Sequence, residues 1–206
     1  MKYKLTEETK EFLGRKLHRI VCVTAFASVS VGDIGGWVES ESNLSQEGNA
    51  WVYGDALVCG NAKVCDNAWV FGNAEVFGNA KVFGNAEVYG NAEVCDNAKV
   101  CYNAKVCDNA WVFGNAWVFG NAEVFGDAKV YGNADFIVLK NSWSSGRYFT
   151  YTASNKMWKV GCFYGSGKKL IEKAYEDSEL SGKCYEATVK YVEEIERLKK
   201  ELKNEH

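Results

Sequence analysis

From residue 48 to residue 137 the chain repeats every six residues, fifteen times, with nothing inserted and nothing lost. The unit is Gly-Asn-Ala-x-Val-x. It opens as Gly48-Asn49-Ala50-Trp51-Val52-Tyr53 and closes as Gly132-Asn133-Ala134-Asp135-Phe136-Ile137. The third position is Ala in all fifteen units, and the fifth is Val in fourteen, with Phe136 the exception. A period this strict points to a parallel β-solenoid. Gly-Asn is turn chemistry, because both residues tolerate positive φ. Ala-x-Val is then a short strand in which Ala and Val point inward and x outward. Two small inward side chains per strand suit a narrow triangular tube of three strands per coil, about five coils long. The hexapeptide period associates with a left-handed coil.

Stacking in such a tube places every residue on the one eighteen positions later. Asn49, Asn67, Asn85, Asn103 and Asn121 are expected to form one amide ladder along the axis. The outward x positions sort into three faces. The first carries Trp51, Trp69, Glu87, Lys105 and Glu123, and the second Leu57, Glu75, Glu93, Trp111 and Lys129. The third carries Lys63, Lys81, Lys99, Trp117 and Asp135. The sixth position is always apolar: six Phe, five Cys, three Tyr and one Ile. Alternation sends it outward or to a corner. There it either packs over the corners or offers a binding or self-association surface.

The sequence holds eight cysteines, yet their spacing argues against disulfides. Cys95, Cys101 and Cys107 fall on three different faces. Phe77 separates Cys59 from Cys95, and Phe83 separates Cys65 from Cys101. No such pair meets the Cα separation a disulfide needs, about 4.4–6.8 Å. Reduced, small apolar side chains are the expected role.

Residues 1–47 read as a small β cap followed by a degenerate first coil. Trp37-Val38 resembles Trp51-Val52 but precedes it by two residues more than two hexads, as a terminal capping repeat should. Residues 48–137 are the solenoid. Residues 138–206 read as an α+β module of two strands and two helices. The strands are expected at 147–152 and 157–163, and the helices from about 168 to 180 and from about 184 to 202, with Ser181-Gly182 breaking them. Tyr185, Val189, Val192, Ile195, Leu198 and Leu202 form one apolar stripe, suited either to docking on the strands or to an oligomerisation seam.

Formal net charge is −3, and no basic run suggests nucleic acid. No apolar run is long enough for a bilayer, and the polar start lacks a signal peptide, so a cytoplasmic protein in a bacterial cell is expected. Catalysis is not expected. Hexapeptide-repeat acyltransferases commonly use a histidine at a coil edge. Here the two histidines, His18 and His206, both lie outside the repeats. No metal site, catalytic residue or cofactor is assigned. Two features suit a ligand. Gly165-Ser166-Gly167-Lys168 resembles an anion-binding turn at a helix start, without the full spacing of a phosphate-binding loop. Lys63, Lys81 and Lys99 stack like charges about 5 Å apart, which repel unless an anion covers them. Trp51, Trp69, Trp111 and Trp117 face outward in this register, and tryptophan is prominent in interface hot spots.

The segment from Gly32-Asp33-Ile34-Gly35-Gly36-Trp37-Val38 through Gly48-Asn49-Ala50-Trp51-Val52, followed by the repeats, resembles the YdcK-type bacterial β-solenoid proteins over roughly residues 1–137. Their relatives are frequent in phage and prophage genomes and carry labels of transferase or polymer-forming protein. The resemblance implies the solenoid and a phage-borne origin, and transfers no catalytic residue. Together these readings point to a non-enzymatic, homo-oligomeric binding protein. Its partner would be a host protein or a nucleotide-like anion, and its role antagonism of host defence. A self-assembling structural protein and an acyltransferase are the alternatives.

Overall fold

A computed structural model describes residues 1–204; His206 lies outside the described residues. The chain divides into two compact units, Met1–Asn133 and a second beginning at Ala134. The first holds β1 (Tyr3–Phe12), β2 (Arg15–Cys22) and β3 (Ile34–Val38). Fourteen two-residue rungs follow, β4 to β17, one every six residues from Trp51–Val52 to Lys129–Val130.

The rungs pair in parallel with the rung eighteen residues away, as Lys63↔Lys81 and Val64↔Val82 illustrate. They form three sheets, one for each face of a solenoid of about five turns. Every Ala and Val of the fourteen rungs is buried. Most corners are turns closed from the Ala N–H to the sixth residue of the preceding hexad, for example Ala62 N to Cys59 O at 3.3 Å. Asparagine amides run up all three corners. The ladder from Asn49 to Asn121 has links of 3.0, 3.1, 3.1 and 3.3 Å. Four corners hold a side-chain-bearing residue at positive φ: Asp66, Asp96, Tyr102 and Asp108. Asp66 and Asp96 each accept the N–H of the glycine one coil on, both at 3.0 Å.

At the N-terminal end, β1 and β2 form an antiparallel hairpin, β3 pairs with β2, and β3 then runs parallel to β5 (Leu57–Val58). The cap therefore extends one solenoid face into an eight-stranded sheet. Trp37 lies beside Leu57 and Leu44 beside Val64, an offset of twenty residues rather than eighteen. The two extra residues fall between Leu44 and Val52. In that stretch the Gln46 side chain accepts the N–H of Lys2 at 2.8 Å and donates to the Tyr3 carbonyl at 3.1 Å. Asn43, wholly buried, donates to the carbonyls of Gly60 and Ala62 at 3.0 and 2.9 Å. Side chains thus satisfy carbonyls that a preceding coil would have met. Lys2 plugs the same end: its ammonium donates to Ala50 O at 2.8 Å and lies 4.8 Å from the Phe26 ring centroid.

The fifteenth hexad leaves the solenoid. Asn133–Asp135 forms a 3₁₀ turn, and Phe136 opens β18 (Phe136–Lys140) of a different sheet. Asp135 is therefore absent from the Lys63 face, and the Asn133 side chain takes the Trp117 N–H at 2.8 Å instead.

The second unit has four strands, two more than expected. An antiparallel meander joins β18, β19 (Tyr148–Thr152), β20 (Met157–Val160) and β21 (Phe163–Ser166). Phe136–Lys140 passed as the tail of the repeat, and Gly161 at φ +55° splits one expected strand into a hairpin. Helices α1 (Gly167–Asp177) and α2 (Glu179–Asn204) follow. The break falls at Ser178, not at Ser181-Gly182. Ser178 accepts the Ser181 N–H on its hydroxyl at 3.1 Å and caps the second helix. Gly182 is helical because Tyr175 lies against it; a Cβ there would come within 2.2 Å of the ring. The core gathers Phe149, Tyr151, Trp158, Val160, Leu170, Val189 and Val192. The α2 stripe docks as far as Val192, while Leu198 and Leu202 are exposed. Among the described residues no helix is long and apolar enough to cross a membrane.

Candidate functional site

The Lys63 face is built from β6 (Lys63–Val64), β9 (Lys81–Val82), β12 (Lys99–Val100) and β15 (Trp117–Val118), with Lys63↔Lys81, Lys81↔Lys99 and Lys99↔Trp117 as direct neighbours. Each Val anchors its rung inside the tube, so the residue before it must point out. All three lysines are exposed. Among the described residues no carboxylate lies within ion-pair distance of Lys63 or Lys81. The Lys99 ammonium sits 5.5 Å from the Trp117 ring centroid, a cation–π contact. Trp117 is 41% exposed, and its indole N–H donates to Cys101 Sγ at 2.9 Å. The face is thus a row of cations one coil apart that ends on a fixed indole.

The other faces neutralise their charges differently. On the Trp51 face Lys105 pairs with Glu87 at 2.9 Å. On the Leu57 face burial, then the neighbouring Glu93, raises the Glu75 carboxyl above its usual range. Lys129 lies 5.2 Å from the Trp111 ring centroid.

The four tryptophans do not form one surface. Trp51 points away from the tube axis as its register requires, yet it is completely buried, so it cannot meet a partner. Tyr3 and Phe26 of the N-terminal cap pack edge-on against it at 6.2 and 5.5 Å. Trp69 is half-buried beside Val29 and Tyr53. Only Trp111 and Trp117 are open, each 41% exposed.

The Gly165–Lys168 turn starts α1, and packing or capping accounts for its small residues. Ser166 caps the helix by accepting the Lys169 N–H. A Cβ on Gly165 would meet the Phe163 ring at 2.9 Å, and one on Gly167 would meet Val189 at 2.8 Å. Lys168 extends into solvent, 3.9 Å from Glu172.

Among the described residues the sixth-position cysteines form no disulfide. Burial pushes Cys59 and Cys95 up to about 11. It also raises Cys65 and Cys101, although lysines beside them pull the other way. These thiols stay protonated at neutral pH and are weak nucleophiles. His18 lies in β2 with Nδ1 3.2 Å from the Thr6 carbonyl. Among the described residues no three His, Cys, Asp or Glu side chains come together as metal ligands.

The spacing of the repeat brought the lysine row together, but it did not reveal the Trp117–Cys101 contact. The signal was available: Cys101 and Trp117 occupy adjacent coils at the sixth and fourth positions, where a bulky indole can lean over the smaller thiol.

No protein-family model matches the chain. Over 60 residues it is 40% identical to a curated protein of Escherichia coli strain K12 named "Uncharacterized acetyltransferase YdcK". The match covers 25% of this chain and 18% of that relative, so the chain spans less than a fifth of the relative's length.

Proposed function

We propose that this β-solenoid is a non-enzymatic binding protein that holds an anionic ligand along its Lys63 face. One observation carries the reading. Three exposed lysines stand one coil apart, Lys63 and Lys81 have no acid against them among the described residues, and the row ends on Trp117. Repulsion along such a row falls when an anion lies over it. The indole supplies a flat surface for an apolar or planar part of the same ligand. The resemblance to YdcK-type solenoids, with relatives in phage and prophage genomes, makes a host protein or a nucleotide-like anion the first class to test. A role against host defence would follow from that origin.

The test is parallel capture of the tagged wild type and of Lys81→Glu from bacterial lysate, with mass spectrometry of bound proteins and heat-released small molecules. A stoichiometric anion or acidic protein on the wild type and absent from Lys81→Glu is expected. The same set on both proteins would sink the reading.

A second reading, acyl transfer, is favoured by the printed name of the matched relative. It predicts a thermal shift with acetyl-coenzyme A, and no shift at saturating cofactor would remove it. The exposed rings of Trp111, Trp117, Phe119 and Tyr131, spread over two faces and their corners, suit self-association. Light scattering separates a fixed small oligomer, compatible with ligand binding, from a mass that grows with concentration and marks a structural polymer.

A further inference from the structure

We propose that the C-terminal unit carries a binding site of its own, for a small anion with a flat apolar body. A cavity of about 360 Å³ opens between the β20–β21 hairpin and the two helices. That volume lies within the range of small-molecule sites, which are apolar clefts with a few convergent polar groups. The floor is apolar and buried, made by Val160, Leu170 and Ala174. Phe163 and Tyr185 form aromatic walls. Tyr185 is held in place by Phe149 and Trp143, with ring centroids 4.8 and 6.0 Å away.

The mouth carries the charge. Arg147, just before β19, and Lys173 from α1 both line it, together with one acid, Asp177. Among the described residues no carboxylate comes within ion-pair distance of either cation. The mouth therefore keeps a net positive charge above an apolar floor.

Two glycines clear this space. Gly161 turns the hairpin at φ +55°, and the Arg147 side chain lies along it, with Cδ 3.4 Å from where a Cβ would stand. Gly165 lets the Phe163 ring lie across the strand, where a Cβ would stand 2.9 Å from it. The planar guanidinium favours a carboxylate, sulfonate or phosphate, which it can hold with two parallel hydrogen bonds. The rings behind it favour an aromatic or otherwise flat body. The site is independent of the lysine row on the solenoid, and neither proposal requires the other.

The test uses the full chain and two probes with the same rings: 1-anilinonaphthalene-8-sulfonate, which is anionic, and N-phenyl-1-naphthylamine, which is neutral. Saturable fluorescence enhancement by the sulfonate is expected at one probe per chain, with the neutral probe about tenfold weaker, the loss of one charge-assisted contact. Arg147→Gln and Lys173→Gln, both on exposed side chains, should each weaken the sulfonate by about tenfold. Ala174→Leu should abolish binding by filling the floor, with near-ultraviolet circular dichroism confirming an intact core. Binding that survives in the Arg147→Gln/Lys173→Gln double variant and disappears in Lys81→Glu would place the probe on the solenoid and overturn the proposal. So would an absence of saturable binding, or full affinity in the Arg147→Gln/Lys173→Gln double variant, whatever Ala174→Leu does to the fold.

Discussion

In the rungs of the solenoid the inward positions are Ala and Val alone, each stacked on its own copy one coil away. In the C-terminal unit Phe149, Tyr151, Trp158, Val160, Leu170, Val189 and Val192 meet as unlike shapes. The first core is thin but redundant: each Val of the inner rungs lies between equivalents above and below, and the backbone ladder continues on both sides. The second is a single interlocking cluster whose aromatic rings meet edge-on, Phe149 against Trp158 at 6.3 Å and against Tyr185 at 4.8 Å. A repeat spreads stability over nearest neighbours, whereas a jigsaw core concentrates it in a few large side chains.

Phe149→Ala should therefore have the largest effect, a loss of about 3–5 kcal/mol in the C-terminal unit. Val88→Ala, in the middle of the tube, removes two methyl groups and should cost about 2 kcal/mol. Urea melts combined with hydrogen exchange in β19 and in the central rungs would measure both. Equal costs would break the contrast between the two cores.

The solenoid is redundant only away from its ends, and Lys2 sharpens that point. Burial pulls its ammonium down from 10.5 to about 8, with the Cys22 thiol opposing. The folded state therefore releases this proton before the unfolded state does. Between about pH 8 and pH 10.5 the unfolded chain binds more protons at this lysine, so the Lys2 contribution to stability rises with pH across that window, while the buried thiols of Cys59 and Cys95, held up to about 11, lower stability above about pH 9. The gain should be on the order of 2 kcal/mol, somewhat less than the full shift because backbone carbonyls hold the charged form. Urea midpoints of wild type and Lys2→Met along the same pH series isolate it: the difference between the two should move in favour of the wild type as pH rises through the window. A difference that does not change with pH would remove the role given to Lys2.

Most of the solenoid was legible because its constraint repeats. Ala at position three and Val at position five determine which side of every rung is buried, and stacking then determines the faces. Legibility stopped where periodicity stops. Trp51 obeys the register and is still buried, since Tyr3 and Phe26 reach it from a cap without a repeat. The exit from the solenoid did leave a mark: Phe136 is the one fifth-position residue that is not Val, and it opens the next sheet. In the C-terminal unit Gly182 resembled a helix breaker, because nothing local shows that Tyr175 lies against it. The cavity beside Arg147 is assembled from the segment before β19, from β20, β21, α1 and α2, and no spacing in the sequence brings those residues together. Of the candidate ligand face, the lysine row was readable, but the division of the tryptophans into buried and open was not.

The corners allow a finer test, because the same backbone position is filled by different residues. Gly84 has φ +70°, and a Cβ there would stand 2.9 Å from the Tyr102 nitrogen. Gly84→Ala should cost about 1–2 kcal/mol. Gly84→Asp should cost less, if its carboxylate can accept the Tyr102 N–H as Asp66 accepts that of Gly84. Equal losses would show that the carboxylate bond does not offset the left-handed backbone.

Tyr102 stands one coil further along the same corner, at φ +60°. It is an aromatic residue in a conformation that costs a side-chain-bearing residue roughly 1–2 kcal/mol. It has none of the compensation that Asp66 has, since its ring is 61% exposed and its phenol cannot fold back onto the Gly120 N–H as a short carboxylate would. Tyr102→Gly should therefore stabilise the solenoid, by about 0.5–1 kcal/mol once the freedom that glycine gains in the unfolded chain is subtracted. Tyr102→Asp should gain a similar amount by supplying the missing bond. The readout is the urea midpoint of each variant against the wild type. A gain in both would mean that stacking across the corner tolerates a strained residue without needing it. A loss in both would mean that the exposed ring contributes to the corner through packing on its neighbours, and that even the most regular part of the molecule holds contacts its repeat does not encode.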